Sequence, residues 1–167
     1  MPHKQKDYFL YLPRTPERER WGVEVLGGGF ASIPAKIYYP PIGHPSDHSF
    51  NYEKGRVLQS LQILCVTEGK GLLKTASNST QRITAGSVFV LIPGEWHTYR
   101  PDPKTGWAEH WIELDGVVPR RLLADGIFSA NKCVFTEGAG VGAAFMKIHP
   151  MLDGRRHASA SELAVAA

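Results

Sequence analysis

Side chains that can coordinate a metal or bind a polar ligand are concentrated in residues 86–114. An apolar run in this segment stops at a Pro-Gly turn, and His97 and Tyr99 follow the turn. After a proline-rich loop, a second run carries Glu109 and Trp111. The turn between strand-like runs predicts a hairpin. The chemistry open to these side chains is metal coordination, catalysis or recognition of a small molecule.

A metal site around His97 would require further donors on neighbouring strands, typically two more histidines and a carboxylate. The strand predicted over residues 57–66 contains no His, Asp or Glu, and the chain has no HxH pair. One alternative remains, in which donors from other segments hold the metal, and these donors are His44, His48, Glu109, His110 and Glu113. Because the neighbouring strand lacks donors, we predict no metal and no cofactor.

Alternation along residues 107–114 predicts a strand with one face of two tryptophans and two carboxylates. This face carries Trp107, Glu109, Trp111 and Glu113. Burying carboxylates among aromatic rings is unfavourable unless each carboxylate has a hydrogen-bonding partner. A polyhydroxylated ligand supplies such partners, since an indole ring covers the apolar face of a sugar while polar side chains bind its hydroxyls. The face therefore indicates a binding pocket without metal.

A purely structural alternative exists for this face, in which Trp107 caps the end of a barrel and Glu109 pairs with Arg56 or Arg100. Catalysis by a nucleophile has little support, because the serines lie in turns without a GxSxG motif and neither cysteine is near a histidine. No glycine-rich phosphate loop follows a strand and opens a helix. We therefore assign no catalytic residue.

The 167 residues suffice for one sizeable core, so we treat the chain as one domain with appendages. The chain is 43% hydrophobic and 21% charged, and it contains neither a signal peptide pattern nor an apolar run of membrane-spanning length. We therefore expect a cytoplasmic protein with no membrane partner. A net charge of +3, spread along the chain, does not form a nucleic-acid footprint. Cys65 lies in an apolar run and is expected in the core.

The elements that must position the candidate site are mainly strands. Residues 56–75 contain two strand-like runs separated by residues 67–71, whose glycines predict a tight hairpin. Residues 81–84 form another short strand, and the regular spacing indicates an antiparallel sandwich or barrel. The first 30 residues read as an arm or edge strand that ends in a flexible turn at three glycines. The next stretch is a proline-rich loop in which only residues 37–39 resemble a strand.

Helical patterns replace strand patterns after residue 116. Residues 117–125 and 141–152 carry apolar side chains at helical spacing, with Pro150 near the end of the second helix. A third helix begins near Ser159 or Ser161, either of which can cap it. The pattern stops without a C-cap, so we expect that a helix or linker continues in a longer protein.

Three motifs of the chain resemble the N-terminal regulatory domain of AraC-type transcription regulators. They are TEGKG at residues 67–71, AGSVFVLIPGEWHTYRPDP at 85–103 and GWAEHWIELDG at 106–116, within a likeness that covers about residues 30–153. The resemblance implies a cupin-like double-stranded β-barrel of the jelly-roll type, followed by two or three α-helices. It also implies a small effector, often a sugar, bound inside the barrel. Helices after the barrel would form a homodimer, and a separate helix-turn-helix domain would bind DNA.

The resemblance also implies which residues line the pocket. Tyr99, Glu109 and Trp111 match pocket positions, Arg56 matches an arginine that opens the first barrel strand, and His97 becomes a hydrogen-bonding wall residue. Arabinose-binding members have a histidine at the position of Glu109, so this chain should recognise a different pattern of hydroxyls. The first metal-binding motif of metal-dependent cupins is missing from the sequence.

These patterns predict an effector-sensing and dimerisation domain rather than an enzyme. Residues 1–116 would form the barrel with its N-terminal arm, residues 117–153 its helical dimerisation part, and residues 154–167 the start of a linker or truncated helix. DNA would be bound only through a C-terminal domain absent from this sequence, because no helix-turn-helix pattern occurs in it. The competing hypothesis is a metal-dependent cupin enzyme acting on a sugar or small metabolite.

Overall fold

The computed structural model describes residues 6–37, 39–40, 50–136, 139–154 and 157–167. His44 and His48, which the sequence offered as metal donors, lie outside these residues. The strands are β1 (Tyr8–Tyr11), β2 (Glu24–Ile33), β3 (Arg56–Val57), β4 (Leu61–Thr75), β5 (Gln81–Thr84), β6 (Val88–Leu91), β7 (Trp96–Pro101), β8 (Trp107–Asp115) and β9 (Val134–Phe135). The helices are α1 (Pro16–Glu19), α2 (Val117–Ala124), α3 (Ala139–Leu152) and α4 (Ala160–Ala166).

Two antiparallel sheets share strand β4. The first sheet has the order β1-β2-β8-β4-β6-β9, and the second has the order β3-β7-β4-β5. The first part of β4 pairs with β8 and the last part pairs with β5 and β7. A strand that passes from one sheet to the other joins them along one side of the barrel. The predicted fold class, mainly antiparallel β followed by helices, is confirmed.

The tight hairpin predicted at residues 67–71 does not form, and this prediction is wrong. Strand β4 runs through these residues with a bulge between Val66 and Glu68. Gly69 has a φ of 74°, which a residue with a side chain rarely adopts. A Cβ at Gly71 would lie 2.5 Å from the Trp107 ring. The glycines therefore permit a bend and a close ring contact within one strand.

The hairpin predicted within residues 86–114 is also wrong as a pairing, although its strands are present. Strand β6 pairs with β4 and β9, whereas β7 pairs with β3 and β4. Strand β8 lies between β2 and β4. The Pro-Gly turn therefore carries the chain from one sheet to the other. Local turn residues predict a reversal of direction but do not determine which strands become partners.

The three glycines at positions 27–29 lie inside β2 and do not form the flexible turn expected from the sequence. Each is paired with a residue of β8, and none has a positive φ. A Cβ at Gly29 would lie 2.7 Å from the Trp111 indole nitrogen, and one at Gly28 would lie 2.5 Å from the Leu152 side chain. These glycines therefore let a ring and a helix side chain pack directly on the strand backbone.

We predict that Gly29→Ala lowers the free energy of unfolding by about 1–2 kcal/mol, because the added methyl group would clash with the Tyr8 carbonyl oxygen at 2.6 Å and with the Trp111 ring. Gly142→Ala is the matched control, since nothing lies within 4 Å of a Cβ at that helical position. The control substitution is expected to stabilise the protein by about 0.5–1 kcal/mol. Urea unfolding of both variants measures the difference, and equal effects would contradict the close packing.

The strand expected at residues 37–39 is not found at the described positions. Ile37 is 57% exposed and outside any strand, whereas Tyr39 is buried in a bend. Proline residues flank this stretch at positions 34 and 40. Because proline has no backbone N–H for a ladder hydrogen bond, β-propensity alone does not extend a strand here.

Two apolar clusters cover opposite faces of the first sheet. The inner cluster fills the barrel, and its centre includes Phe89, Leu73 and Ile83, each fully buried. The outer cluster lies between the sheet and the C-terminal helices and includes Phe145 and Ile148. Cys65 and Cys133 are buried free thiols, as expected for a core Cys65.

The helices expected from the sequence are present. Helix α2 covers nearly the predicted residues, but its buried residue is Pro119 and Val118 is 45% exposed. Helix α4 begins after Ser159, whose side chain accepts a hydrogen bond from the backbone N–H of Glu162 in a capping box. The cap is therefore Ser159 and not the alternative, Ser161. No helix of the described residues is long and apolar enough to cross a membrane.

A chain of buried polar side chains joins α3 to the barrel wall. The Tyr8 hydroxyl is hydrogen-bonded to His149 Nδ1, and His149 Nε2 lies 2.6 Å from His110 Nδ1. Burial lowers the pKa of His110 to about 4, so its ring is neutral near pH 7. Because His110 faces away from the barrel interior, this chain positions the helix behind the candidate site.

Candidate functional site

The inner face of β8 has the composition that alternation predicted. All four side chains of this face are buried, and they are Trp107, Glu109, Trp111 and Glu113. The intervening side chains pack on the other side of the sheet, where Ile112 and Leu114 belong to the outer cluster. Period-two alternation therefore brings two carboxyl groups and two indole rings into the barrel interior.

A small cavity of about 20 Å³ lies in the barrel at this face. It is lined by Tyr11, Tyr39, Pro40, Phe50, Arg56, Gln62, Tyr99, Glu109 and Trp111. Four of the five predicted site residues are in this set, and the fifth, His97, lies behind Arg56. A volume of this size holds about one water molecule. The site is therefore assembled, and the described side chains leave little free space in it.

Arg56 is the centre of the polar network in the cavity wall. Its guanidinium donates hydrogen bonds to Gln62 Oε1 at 3.2 Å and to the Tyr99 hydroxyl at 3.0 Å. The same guanidinium lies over the Phe50 ring, 4.7 Å from its centroid. Both elements that carry these partners are barrel strands, so the arginine is held in one position by a rigid wall.

His97 supports Arg56 from the side away from the cavity. The Arg56 Nε–H donates to His97 Nε2 at 3.3 Å, and His97 Nδ1–H donates to the Glu95 carbonyl at 3.1 Å. Burial and the charge of Arg56 lower the pKa of His97 to about 4. The ring is therefore neutral and accepts a hydrogen bond from Arg56, as expected of a wall residue.

Glu109 lies on the opposite side of the cavity and is bound by Tyr39. The Tyr39 hydroxyl is 3.0 Å from each Glu109 carboxyl oxygen. Burial raises the pKa of Glu109 to about 8, although the hydrogen bond from Tyr39 and the charge of Arg56 act in the opposite direction. Glu109 is therefore a neutral carboxyl group near pH 7. The Arg100 guanidinium, which the sequence suggested as a partner of Glu109, instead lies over the Tyr52 ring, 3.9 Å from its centroid.

Trp107 packs in the barrel interior over Gly71, on the same face as Glu109. Its ring makes an edge contact with the Tyr39 ring at a centroid distance of 5.9 Å. Its buried indole N–H interacts with the Glu109 carboxyl group and acts to lower the pKa of that group, although it makes no hydrogen bond of ordinary geometry among the described residues. A buried donor without a well-formed hydrogen bond can also bind an oxygen of a molecule in the site.

Five lining residues were not predicted from the sequence as site residues. They are Tyr11, Tyr39, Pro40, Phe50 and Gln62. Gln62 lies in the strand predicted over residues 57–66, and its side chain accepts a hydrogen bond from Arg56. Tyr39 and Phe50 come from the proline-rich loop, where the aromatic composition was the one available signal. Their rings pack on Tyr99 at centroid distances of 5.7 and 5.1 Å.

A metal finds no suitable set of donors within the described residues. No group of three or more His, Cys, Asp or Glu side chains is close enough to hold an ion there. Both nitrogens of His97 already have partners, and His110 lies on the other side of the sheet. The part of the chain that the structure describes therefore offers side chains for hydrogen bonding and ring contacts instead.

The fold and the enclosed polar site define a β-barrel domain of the small-molecule-binding class. The sequence matches the family model of the AraC-like ligand binding domain over residues 39–167. Because this match covers most of the chain, the protein belongs to that family. The resemblance to AraC-type regulatory domains is thereby confirmed. No curated protein sequence gives a significant match.

Solved structures with a similar fold are distant in sequence. YhaK from Escherichia coli has a TM-score of 0.48 and 10% identity, covering 78% of this chain and 49% of YhaK. The Schizosaccharomyces pombe Cnp3 cupin domain has a TM-score of 0.42 and 16% identity, covering 76% of each chain. A Cupin 2 conserved barrel domain protein from Salinispora arenicola has a TM-score of 0.40 and 15% identity, covering 71% of this chain and 84% of that protein. This chain spans about half the length of YhaK.

Proposed function

We propose that the barrel is the effector-sensing part of an AraC-type transcription regulator and that it binds a neutral hydroxylated small molecule, such as a carbohydrate. The observation that carries this proposal is a polar cluster buried inside an aromatic barrel. Arg56, Tyr99, Glu109 and Trp111 line one cavity, and His97 holds Arg56 in place. These five residues form the proposed effector site.

The cost of burying these groups supports a binding role. Glu109 is buried and Arg56 is half-buried, so both lose hydration, and an apolar interior would avoid that cost. The fold of the barrel does not require an arginine and a carboxylic acid beside this cavity, since apolar residues such as Leu73 and Ile83 fill other positions of the inner cluster. Polar groups on opposite sides of a cavity, with rings between them, suit a ring with hydroxyls on its edge and apolar faces.

The rest of the proposal concerns how the domain is used. Residues 1–116 would form the sensing barrel, residues 117–153 would mediate homodimerisation, and residues 154–167 would begin a linker. DNA would be bound through a helix-turn-helix domain outside this sequence, and the protein would act in the cytoplasm. The role is regulatory and not catalytic. Val117 and Val118 on α2 are 71% and 45% exposed, which leaves apolar groups available to a second copy.

Substitution of Arg56 tests the proposed site. We expect wild-type protein to be stabilised by at least one member of a panel of monosaccharides and polyols in thermal unfolding. Arg56→Gln should weaken that binding about tenfold to a hundredfold, because a charge-assisted hydrogen bond is lost. Arg82→Gln is the matched control, since Arg82 is exposed on β5 outside the cavity, and it should bind as the wild type does.

Two results would contradict this function. One is the absence of binding to every neutral hydroxylated compound by calorimetry at millimolar concentration. The other is equal affinity of the Arg56 and Arg82 variants for a compound that does bind. Stoichiometric iron, manganese, nickel or zinc in protein purified without chelator would favour the competing metal-dependent enzyme.

A further inference from the structure

The Tyr39 side chain lies inside the barrel, in the space where a ligand would reach Glu109. Its hydroxyl is hydrogen-bonded to Glu109, and its ring contacts the rings of Phe50, Tyr99 and Trp107. What is left of the cavity is about 20 Å³, whereas a six-membered ring with substituents needs several times the space of one water molecule. A ligand of that size cannot enter while Tyr39 stays in place.

Tyr39 also comes from a different kind of element than the other polar residues of the site. Arg56, Tyr99 and Glu109 belong to β3, β7 and β8, which are held in the sheets. Tyr39 lies in a bend outside any strand. Its removal from the cavity would break its hydrogen bonding with Glu109 and Tyr99 and several ring contacts, but it would break no ladder between strands. Tyr39 is therefore the lining group that can leave with least disturbance of the barrel.

We infer that the Tyr39 phenol is an internal occupant of the effector site and that the effector is a neutral ring-shaped molecule whose hydroxyl replaces the Tyr39 hydroxyl at Glu109. This inference rests on the proposed function of the barrel interior as a ligand site. The ligand and Tyr39 compete for the same space and the same carboxyl group. The affinity of the wild type for the ligand is consequently the affinity of the unoccupied site multiplied by the fraction of molecules in which Tyr39 has left the cavity.

The chemistry of the cavity favours a hydroxyl over a charged group at this position. A Glu109 carboxyl group that is neutral near pH 7 both donates and accepts a hydrogen bond, as a hydroxyl does. A ligand carboxylate offers no donor and a ligand ammonium offers no acceptor, so each would leave one bond unmade. The Trp107 N–H, which lies beside Glu109 without a well-formed hydrogen bond, provides a donor for a second oxygen of the ligand. These requirements are met by sugars, cyclic polyols and phenols.

The experiment that tests this inference removes the Tyr39 side chain by substitution and adds an analogue of that side chain as a free molecule. Tyr39→Ala is expected to bind p-cresol, the side-chain analogue of tyrosine, at least tenfold more tightly than wild type in calorimetry. Toluene, which has the same shape without the hydroxyl, should bind this variant more weakly than p-cresol. Tyr52→Ala is the control, because Tyr52 packs on Arg100 outside the cavity, and its affinity for p-cresol should equal that of the wild type.

Tyr39→Phe provides a second variant if Tyr39→Ala does not fold. It keeps the ring and removes the hydrogen bond to Glu109, so it should release the cavity more readily than wild type and bind p-cresol more tightly. Equal affinity of the wild type and the folded Tyr39 variants for p-cresol would overturn the inference. So would a loss of the preference for p-cresol over toluene in Tyr39→Ala.

The two proposals fail in different ways. If p-cresol binds Tyr39→Ala while no sugar or polyol binds either protein, the internal occupant is supported and the carbohydrate-sensing function is not. If a sugar binds wild type and Tyr39→Ala with the same affinity, the sensor function is supported and the competition by Tyr39 is overturned.

Discussion

Replacing Glu109 with glutamine is expected to remove a loss of stability that the wild-type protein shows as the pH rises from about 6.5 to 8. The pKa of Glu109 is raised by burial to about 8 in the folded protein, compared with 4.5 for an ordinary glutamate. Between these values the unfolded chain is ionised while the folded protein holds a proton. Stability therefore falls with pH, by about 1.4 kcal/mol per pH unit.

At lower pH the two histidines have the opposite effect on stability, which falls as the pH falls. His97 and His110 have pKa values of about 4 in the folded protein, compared with 6.5 for ordinary histidine. Their contribution is complete above pH 6.5 and is lost as the pH falls towards 4. From pH 4.5 to 6.5 the rise in stability from two histidines exceeds the fall from one glutamate, so the wild type should be most stable near pH 6.5. The full contribution of Glu109, from pH 4.5 to 8, is about 3–5 kcal/mol.

Urea unfolding at pH 5, 6.5, 8 and 9 measures the stability on both sides of the expected maximum. Glu109→Gln should match the wild type within about 1 kcal/mol at pH 5, because glutamine has the shape of the protonated acid and the pH is then close to the ordinary pKa of glutamate. At pH 8 it should be more stable than the wild type by about 4 kcal/mol, since the wild type then loses nearly the full contribution of Glu109. Glu68→Gln removes an exposed carboxylate and serves as the control, with a profile like that of the wild type. A wild type with a flat profile from pH 6.5 to 8 would contradict the buried, protonated state of Glu109.

Phe89→Ala is expected to cost about 3–5 kcal/mol, a large part of the total stability of a domain of this size. Phe89 is fully buried in the inner cluster. Its ring lies 5.4 Å from the Tyr99 ring and 6.4 Å from the Trp107 ring, measured between centroids. Truncation leaves a cavity behind the effector site that the barrel cannot close, because its walls are hydrogen-bonded sheets.

Two further substitutions make this measurement specific. Phe89→Leu keeps most of the volume and should cost less than half as much as Phe89→Ala. Met146→Ala changes a side chain that is 59% exposed, and its effect should stay within about 0.5 kcal/mol. If truncation of Phe89 and of Met146 had similar effects on the urea midpoint, the inner cluster would not be the main source of stability.

Parts of the site could be predicted because they depend on the local period of the backbone. Strand alternation alone places Glu109 and Trp111 on the inner face of β8, since neighbouring side chains of a strand point to opposite sides. The start of α4 could be predicted for a similar reason, because the Ser159 cap and Glu162 are three residues apart. The family resemblance added Arg56 and Tyr99, of which Arg56 lies about 50 residues before β8 in sequence, and both line the same cavity as β8.

Other features depend on partners that are distant in sequence. The glycines at positions 27–29 and 69–71 suggested turns, whereas the structure uses Gly29 and Gly71 where the Trp111 and Trp107 rings lie on the backbone. No local pattern records the approach of a ring from another strand. The pairing of β4 with both sheets was hidden for the same reason, because long-range strand order is chosen by which faces pack together.

The sequence by itself determined the class of domain, the inner face of β8 and the family. Only the tertiary structure decided that the cavity has little free space and that Tyr39 lies in it against Glu109. The physical reason is that a loop residue carries no periodic signal, so its contact with Glu109 follows from the packing of the whole barrel and not from any spacing along the chain.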